Sequence, residues 1–71
     1  MKPCFTFKNI KDNATYTVAR ILLEKAIYLF EKKNPHYELN AYQSILAEYG
    51  IEWGDQAMEN ADVSNLEAKV V

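Results

Sequence analysis

The amino-acid sequence predicts a mainly α-helical fold: an extended N-terminal segment, an antiparallel helical hairpin and a short acidic C-terminal helix. Two stretches with the helical period of 3.6 residues indicate the hairpin, one over residues 18–33 and one over residues 42–49. A short connection containing Pro35 separates them, and short connections favour antiparallel neighbours. An α+β fold with a small N-terminal hairpin or strand is the alternative. The predicted elements are an extended entry (1–13), a first helix (14–33), a second helix (38–49) and a short helix with a tail (55–71).

The length of the chain, 71 residues, predicts one small domain over residues 1–71. A domain of this size buries only about 60% of the surface that its unfolded chain exposes. Small domains compensate with disulfides, a metal, self-association or dense apolar packing. Cys4 is the only cysteine and His36 the only histidine, so we expect no disulfide within the chain, no metal and no cofactor. Dense packing and self-association remain, and 49% of the residues are apolar.

The N-terminal segment is expected to be extended. Phe5 and Phe7 alternate with polar residues, which is the period of a half-buried strand. Two continuations are open: a hairpin that turns at residues 11–14, or a helix capped by Asn13 or Thr15. We favour the helix.

The first helix is predicted to be amphipathic. Its apolar residues cover about half of the helical circumference. They are Val18, Ala19, Leu22, Leu23, Ala26, Ile27, Leu29 and Phe30. Charged residues, among them Arg20, Glu24 and Glu31, cluster on the opposite face. Pro35 is expected to end the helix, because the residue before a proline is disfavoured in the α region.

The second helix is predicted from a stripe at i, i+3, i+4 and i+7. Its members are Tyr42, Ile45, Leu46 and Tyr49. Asn40 and Gln43 have the spacing of a capping box, whereas Pro35 as the first helical residue is a competing start. Gly50 is expected to end the helix in the left-handed conformation, with Ile51 making the apolar contact of a Schellman motif.

The C-terminal part of the chain is polar and acidic. Asp55 is expected to cap a short helix, and Ser64 with Glu67 has the form of a second helix start. Residues 69–71 are expected either to fray or to pair with residues 4–8 in a small sheet.

The charge is distributed unevenly along the chain. Residues 1–33 contain seven Lys or Arg and three Asp or Glu, whereas residues 34–71 contain one and seven. One interpretation is that the two halves fold against each other and their opposite charges attract. The other is that the acidic half faces a basic partner, or that copies of the chain pack head to tail.

Two sets of residues are candidates for partner contacts. The first is an acidic surface with one aromatic residue, consisting of Glu48, Glu52, Trp53, Asp55, Glu59 and Asp62. Tryptophan is enriched at binding hot spots, although Trp53 could equally cap the core and the acids could simply be solvated. The second set is Ile21 and Tyr28, which lie seven residues apart on the polar side of the first helix with Lys25 between them. They predict a self-association contact, unless the N-terminal segment covers them.

Several function classes are disfavoured. Cys4 and His36 form the only obvious nucleophile–base pair, and they lie in separate segments, so we expect no enzyme. Gly50 and Gly54 are the only glycines, which leaves no phosphate-binding loop. Residues 43–60 are similar to a helix-turn-helix but contain no Lys or Arg, so we expect no direct nucleic-acid binding. No apolar run reaches 18 residues, so no membrane span is expected and the predicted location is the cytoplasm.

These observations predict a non-catalytic protein-binding module that self-associates and regulates or inhibits another protein, one with a basic surface if the acidic residues make the contact. One alternative is an acidic inhibitor of a nucleic-acid-binding complex, the strategy of some anti-defence proteins such as anti-CRISPR proteins. Another is a structural subunit of a helical assembly, in which positive and negative ends stack.

Overall fold

The computed structural model describes residues 3–33 and 36–71, and these residues form three helices and a two-stranded sheet. The order is β1 (Cys4–Phe7), α1 (Asn13–Glu31), α2 (His36–Glu48), α3 (Asp55–Glu59) and β2 (Glu67–Val70). Helix α1 packs against both α2 and α3. This content agrees with a mainly α or α+β fold, while the antiparallel hairpin stays a prediction.

The two strands come from opposite ends of the sequence and pair in parallel. The register places Cys4 opposite Glu67 and Phe7 opposite Val70. Beyond the last pair, the Val71 N–H donates to the Phe7 carbonyl at 3.0 Å. Residues 67–70 are therefore a strand and not a tail. The predicted helix start at Ser64 and Glu67 is wrong, because Glu67 belongs to this strand.

Helix α1 begins at Asn13, so residues 11–14 do not form the turn of a hairpin. Its cap is Asp12 and not Asn13 or Thr15: Asp12 has extended backbone, and its carboxylate accepts a hydrogen bond from the Thr15 N–H at 2.7 Å. Hydrogen bonds from Thr15, the backbone one first, stabilise the charged form and lower the pKa of Asp12.

The C-terminal end of α1 comes two residues before the predicted one. Glu31 is the last helical residue, Lys32 is the C-cap, and Lys33 adopts a left-handed conformation with φ 54°. The Lys33 N–H donates to the Phe30 carbonyl at 3.1 Å, which closes the last turn. The predicted stop at Asn34 and Pro35 lies outside the described residues.

Helix α2 begins at His36, two residues before the predicted start, so Asn40 lies inside the helix and its capping box with Gln43 is wrong. The competing start at Pro35 lies outside the described residues. The predicted end is confirmed: Gly50 has φ 81°, its N–H donates to the Ala47 carbonyl at 3.0 Å, and the Ile51 N–H donates to the Leu46 carbonyl at 3.3 Å. These are the two hydrogen bonds of a Schellman motif.

The N-terminal segment crosses the end of α2 at close range. The N–H groups of Lys8 and Asn9 both donate to the Tyr49 carbonyl, at 3.2 and 3.1 Å, and the Asn9 side-chain amide donates to the Glu48 carbonyl at 3.2 Å. A Cβ atom on Gly50 would lie 2.9 Å from the Lys8 Cβ. Residues 8 and 9 therefore satisfy the last carbonyls of α2, which have no partner within the helix.

The hydrophobic core draws on β1, on all three helices and on the loops between them. Its buried residues are Phe5, Phe7, Ile10, Ala19, Leu23, Ala26, Ile27, Leu46, Ile51, Met58, Ala61 and Leu66. Tyr16 joins α1 to the sheet: its ring meets Phe7 edge to face at 6.1 Å, and its hydroxyl donates to the Ala68 carbonyl at 2.9 Å. Among the described residues, none of the helices has the length and apolar character needed to cross a membrane.

Candidate interaction surfaces

A stripe of apolar and basic side chains runs along the outer face of α1. We define the α1 stripe as Val18, Ile21, Lys25, Tyr28 and Lys32. Its three apolar members are substantially exposed: 49% of Val18, 59% of Ile21 and 46% of Tyr28. The core side of the same helix buries Ala19, Leu23, Ala26 and Ile27 completely. The exposed apolar residues thus form a second face, separate from the face that stabilises the fold.

The structure bears on the sequence prediction for the α1 stripe in two ways. Ile21 and Tyr28 are not covered by the N-terminal segment, because Phe5, Phe7 and Ile10 are buried in the core. Val18, predicted to lie on the core side, is instead exposed. The spacing from residue 18 to residue 32 alternates between three and four, the pattern of a helix-pairing seam, so this spacing could have identified the complete stripe.

Two lysines flank the ring of Tyr28 in the stripe. The Nζ atom of Lys25 lies 5.6 Å and that of Lys32 5.7 Å from the ring centroid. Each distance allows a cation–π interaction, worth about 0.5–1 kcal/mol at an exposed site. The two ammonium groups place positive charge beside the Tyr28 ring, one in the middle of the stripe (Lys25) and one at its end (Lys32).

A groove of about 880 Å³ opens beside the C-terminal end of α1. We call it the acidic groove, because acidic residues outnumber basic ones among the described residues that line it. Its charged residues are Glu31, Lys33, Glu59 and Asp62. Its apolar lining consists of Leu29, Phe30, Leu39, Met58 and Ala61. The groove was not predicted from the sequence, because α1, α2, α3 and the turn after α3 all contribute to it.

The structure distributes the predicted acidic surface over different places. Glu59 is exposed and lines the acidic groove together with Asp62, whereas Glu52 and Trp53 line a smaller pocket of about 210 Å³. Glu48 is exposed at the end of α2. Asp55 is the first residue of α3, whose N-cap is Gly54, so Asp55 is not the cap that its sequence position predicted.

Asp62 has a local structural role. Its Oδ1 atom accepts hydrogen bonds from the N–H groups of Ser64 and Asn65, at 2.7 and 3.0 Å, and from the Ser64 hydroxyl. The bond from the Ser64 hydroxyl is the main cause of a lowered pKa for Asp62. The Asp62 carboxylate therefore holds the turn after α3 and keeps its negative charge at the edge of the groove.

Trp53 packs on the core and is half-buried. Its ring meets Phe5 edge to face, with the centroids 6.4 Å apart. Its Nε1 atom is buried, and no acceptor among the described residues lies within hydrogen-bonding distance. The core-capping interpretation of Trp53 agrees with these contacts. Its predicted contact with a partner stays a prediction.

No metal-binding cluster of three or more His, Cys, Asp or Glu side chains is found in the parts of the chain that the structure describes. Cys4 is a free, exposed cysteine in β1.

Comparison of the chain with models of protein families, with curated proteins and with solved structures gave no significant match. Proposals on function therefore rest on the surfaces described above.

Proposed function

We propose that this protein is a non-catalytic binding module that self-associates through the α1 stripe and regulates or inhibits another protein. The observation that carries the proposal is the exposure of Val18, Ile21 and Tyr28 on one face of a helix whose other face is buried. Burying these side chains against a second chain stabilises the complex by removing apolar surface from water.

The chemistry of the α1 stripe suits a protein interface. Tyrosine is enriched at interface hot spots, where an apolar ring and a polar hydroxyl contact the partner together. Lys25 and Lys32 place positive charge next to the Tyr28 ring, and interfaces between proteins combine apolar with polar contacts. The flexible stems of these lysines add apolar contact area while their ammonium groups remain hydrated.

The direct test is the molar mass in solution, measured by light scattering after size exclusion at several concentrations. We expect the wild type to form a dimer or a larger closed oligomer. Ile21→Asp and Tyr28→Asp are expected to weaken association without unfolding the chain, because both positions are exposed. Ile45→Asp is the matched control, since Ile45 lies on α2 and is 40% exposed.

Two outcomes would contradict the proposal. One is a wild type that remains monomeric at every concentration. The other is full association of both the Ile21 and the Tyr28 variants, since the stripe would then make no contact. Circular dichroism of each variant checks that a loss of association is not a loss of fold.

An acidic inhibitor of a nucleic-acid-binding complex is the second candidate, and the acidic groove favours it. Glu59 and Asp62 line that groove and could contact cations that otherwise bind phosphates. This candidate predicts an affinity for a basic partner that falls steeply between about 50 and 500 mM salt, because salt screens exposed charges. An affinity independent of salt would exclude it.

The structural-subunit alternative has a different signature in the same light-scattering experiment. Head-to-tail contacts between different surfaces do not close unless the rotation between copies forms a ring. Open polymers that lengthen with concentration would therefore favour this alternative over a closed dimer.

A further inference from the structure

We propose that the acidic groove is the docking site for the α1 stripe of a second copy of this chain, in a reciprocal two-fold dimer. This inference rests on the proposed self-association and specifies its geometry. In such a dimer each copy inserts its stripe into the groove of the other, so the dimer contains two identical contacts.

The shape of the two surfaces supports this pairing. Helix-in-groove recognition uses apolar anchors at helical spacing on one partner and an apolar cleft on the other. The stripe offers such anchors in Val18, Ile21 and Tyr28. The groove offers the half-buried side chains of Phe30 and Leu39 above a floor that includes the buried Leu29 and Met58, and it encloses about 880 Å³.

The charges of the two surfaces are complementary. The stripe contributes the ammonium groups of Lys25 and Lys32, both beside Tyr28. Among the residues that the structure describes, the lining of the groove contributes Glu31, Glu59 and Asp62 and one basic residue, Lys33. Opposite charges across an interface fix its orientation and disfavour other pairings. A cationic helix face is therefore matched to an anionic groove on the same molecule.

Direct packing of stripe on stripe is the less favourable arrangement. Lys25 lies in the middle of the stripe, between Ile21 and Tyr28. A two-fold axis through the middle of the stripe would bring the Lys25 side chains of two copies together, and like charges at an interface are unfavourable. Docking into the acidic groove places the same lysine beside carboxylates.

The position of the two surfaces also allows a closed dimer. Both involve the C-terminal end of α1: Tyr28 and Lys32 belong to the stripe, whereas Leu29 and Phe30 line the groove. Because the surfaces adjoin, a two-fold axis near this end would bring the stripe of each copy to the groove of the other. The same surface patch is then used on both copies, as a two-fold interface requires.

The test is complementation between two variants that each lose one surface. Ile21→Asp damages the stripe. The double variant Asn40→Lys/Glu59→Lys damages the groove, and both of its positions are exposed in the lining. We expect each variant alone to dimerise about 10-fold or more weakly than the wild type, since each has lost both of its docking contacts. An equimolar mixture is expected to regain dimers, because one intact stripe meets one intact groove.

Native mass spectrometry of the mixture identifies the regained dimer as a heterodimer. A groove variant that dimerises like the wild type would refute docking in the groove while leaving self-association intact. A mixture that remains monomeric would also refute it. A monomeric wild type would refute the proposed function itself, so the two failures are distinguishable.

A second pair of variants keeps the test independent of the first. Lys25→Glu on one chain and Glu59→Lys on the other exchange charges between exposed positions. We expect heterodimers of these two chains to exceed either homodimer at low salt. Random mixing of the two chains would overturn the proposal.

Discussion

Replacing Gly50 by alanine is expected to destabilise the protein strongly, because this residue has two separate constraints. Its φ of 81° lies in the left-handed region, which costs a residue with a Cβ atom about 1–2 kcal/mol. The added Cβ would also lie 2.9 Å from the Lys8 Cβ and 3.1 Å from the Asn9 nitrogen. Since no flexible side-chain end can absorb the contact, the backbone of residues 8 and 9 has to move.

The size of the effect follows from what that movement disturbs. The N–H groups of Lys8 and Asn9 both donate to the Tyr49 carbonyl, and a net loss of about 1 kcal/mol is typical of one such bond. Together with the backbone strain, we expect Gly50→Ala to lower the free energy of unfolding by about 2–4 kcal/mol. A chain of 71 residues is typically stable by only roughly 4–11 kcal/mol.

Urea unfolding followed by the fluorescence of Trp53 measures this loss, since Trp53 packs on Phe5 in the folded protein. At a slope of about 1–1.5 kcal/mol per molar urea, the midpoint is expected to fall by about 2 M. Gly54→Ala is the matched control: a Cβ there has no heavy atom within 4 Å, and φ is −104°. As a change of N-cap residue, it is expected to cost less than about 1 kcal/mol.

A third variant separates strain from crowding. Asparagine tolerates the left-handed region better than alanine but still carries a Cβ atom. Gly50→Asn is therefore expected to fall between the wild type and Gly50→Ala. Equal stability of the Gly50→Ala and Gly54→Ala proteins would refute the reasoning. Wild-type stability of Gly50→Asn would refute the crowding against residues 8 and 9.

Two further predictions concern the ends of α1. Lys33→Gly is expected to raise the free energy of unfolding by about 0.5–1 kcal/mol, because glycine adopts the left-handed conformation of Lys33 without strain. Lys32→Gly, at an ordinary φ of −82°, should give no gain in the same urea assay. The pKa of Asp12 is lower in the folded protein than in the unfolded chain, where it is near 4. The charged Asp12 cap therefore stabilises the fold fully above the unfolded-state pKa, and this stabilisation is lost as the pH falls through the folded-state pKa. Asp12→Asn keeps an N-cap acceptor that does not titrate. We therefore expect the Tm of this variant to decrease less than that of the wild type between about pH 5 and pH 2. An equal decrease in both proteins would contradict the role of the Asp12 charge in the cap.

Local features of the fold could be predicted from the sequence. The periodicity of α1 and α2 and the glycine end of α2 depend on residues within a few positions of each other. Gly50 is an example, because both hydrogen bonds of its Schellman motif lie within the six residues 46–51. The predicted cap of α1 was Asn13 or Thr15, one or three residues after the observed cap, since Asp12, Asn13 and Thr15 are all chemically suited to capping.

Features set by distant contacts could not be predicted in the same way. The sequence allowed the chain ends to pair, but neither the parallel direction nor the register follows from either strand alone. Val18 and Ile45 were assigned to core faces and are 49% and 40% exposed. Each helix has a wide apolar arc, and tertiary packing decides which part of it is buried. The acidic groove is missed for the same reason, since four segments contribute to it.

The pairing of β1 with β2 has a consequence for the order of folding. Cys4 and Glu67 are separated by 63 positions, and closing a loop of that length costs about 4 kcal/mol in chain entropy. A two-stranded sheet alone is too weak to offset this cost. The strands therefore meet only after the helices have shortened the path between them. We therefore expect Phe5 and Phe7 to enter the core late in folding. Within the sheet, we expect the end of β2 to open first when hydrogen exchange samples local unfolding, because Lys69 and Val70 are exposed whereas Phe5 and Phe7 are buried.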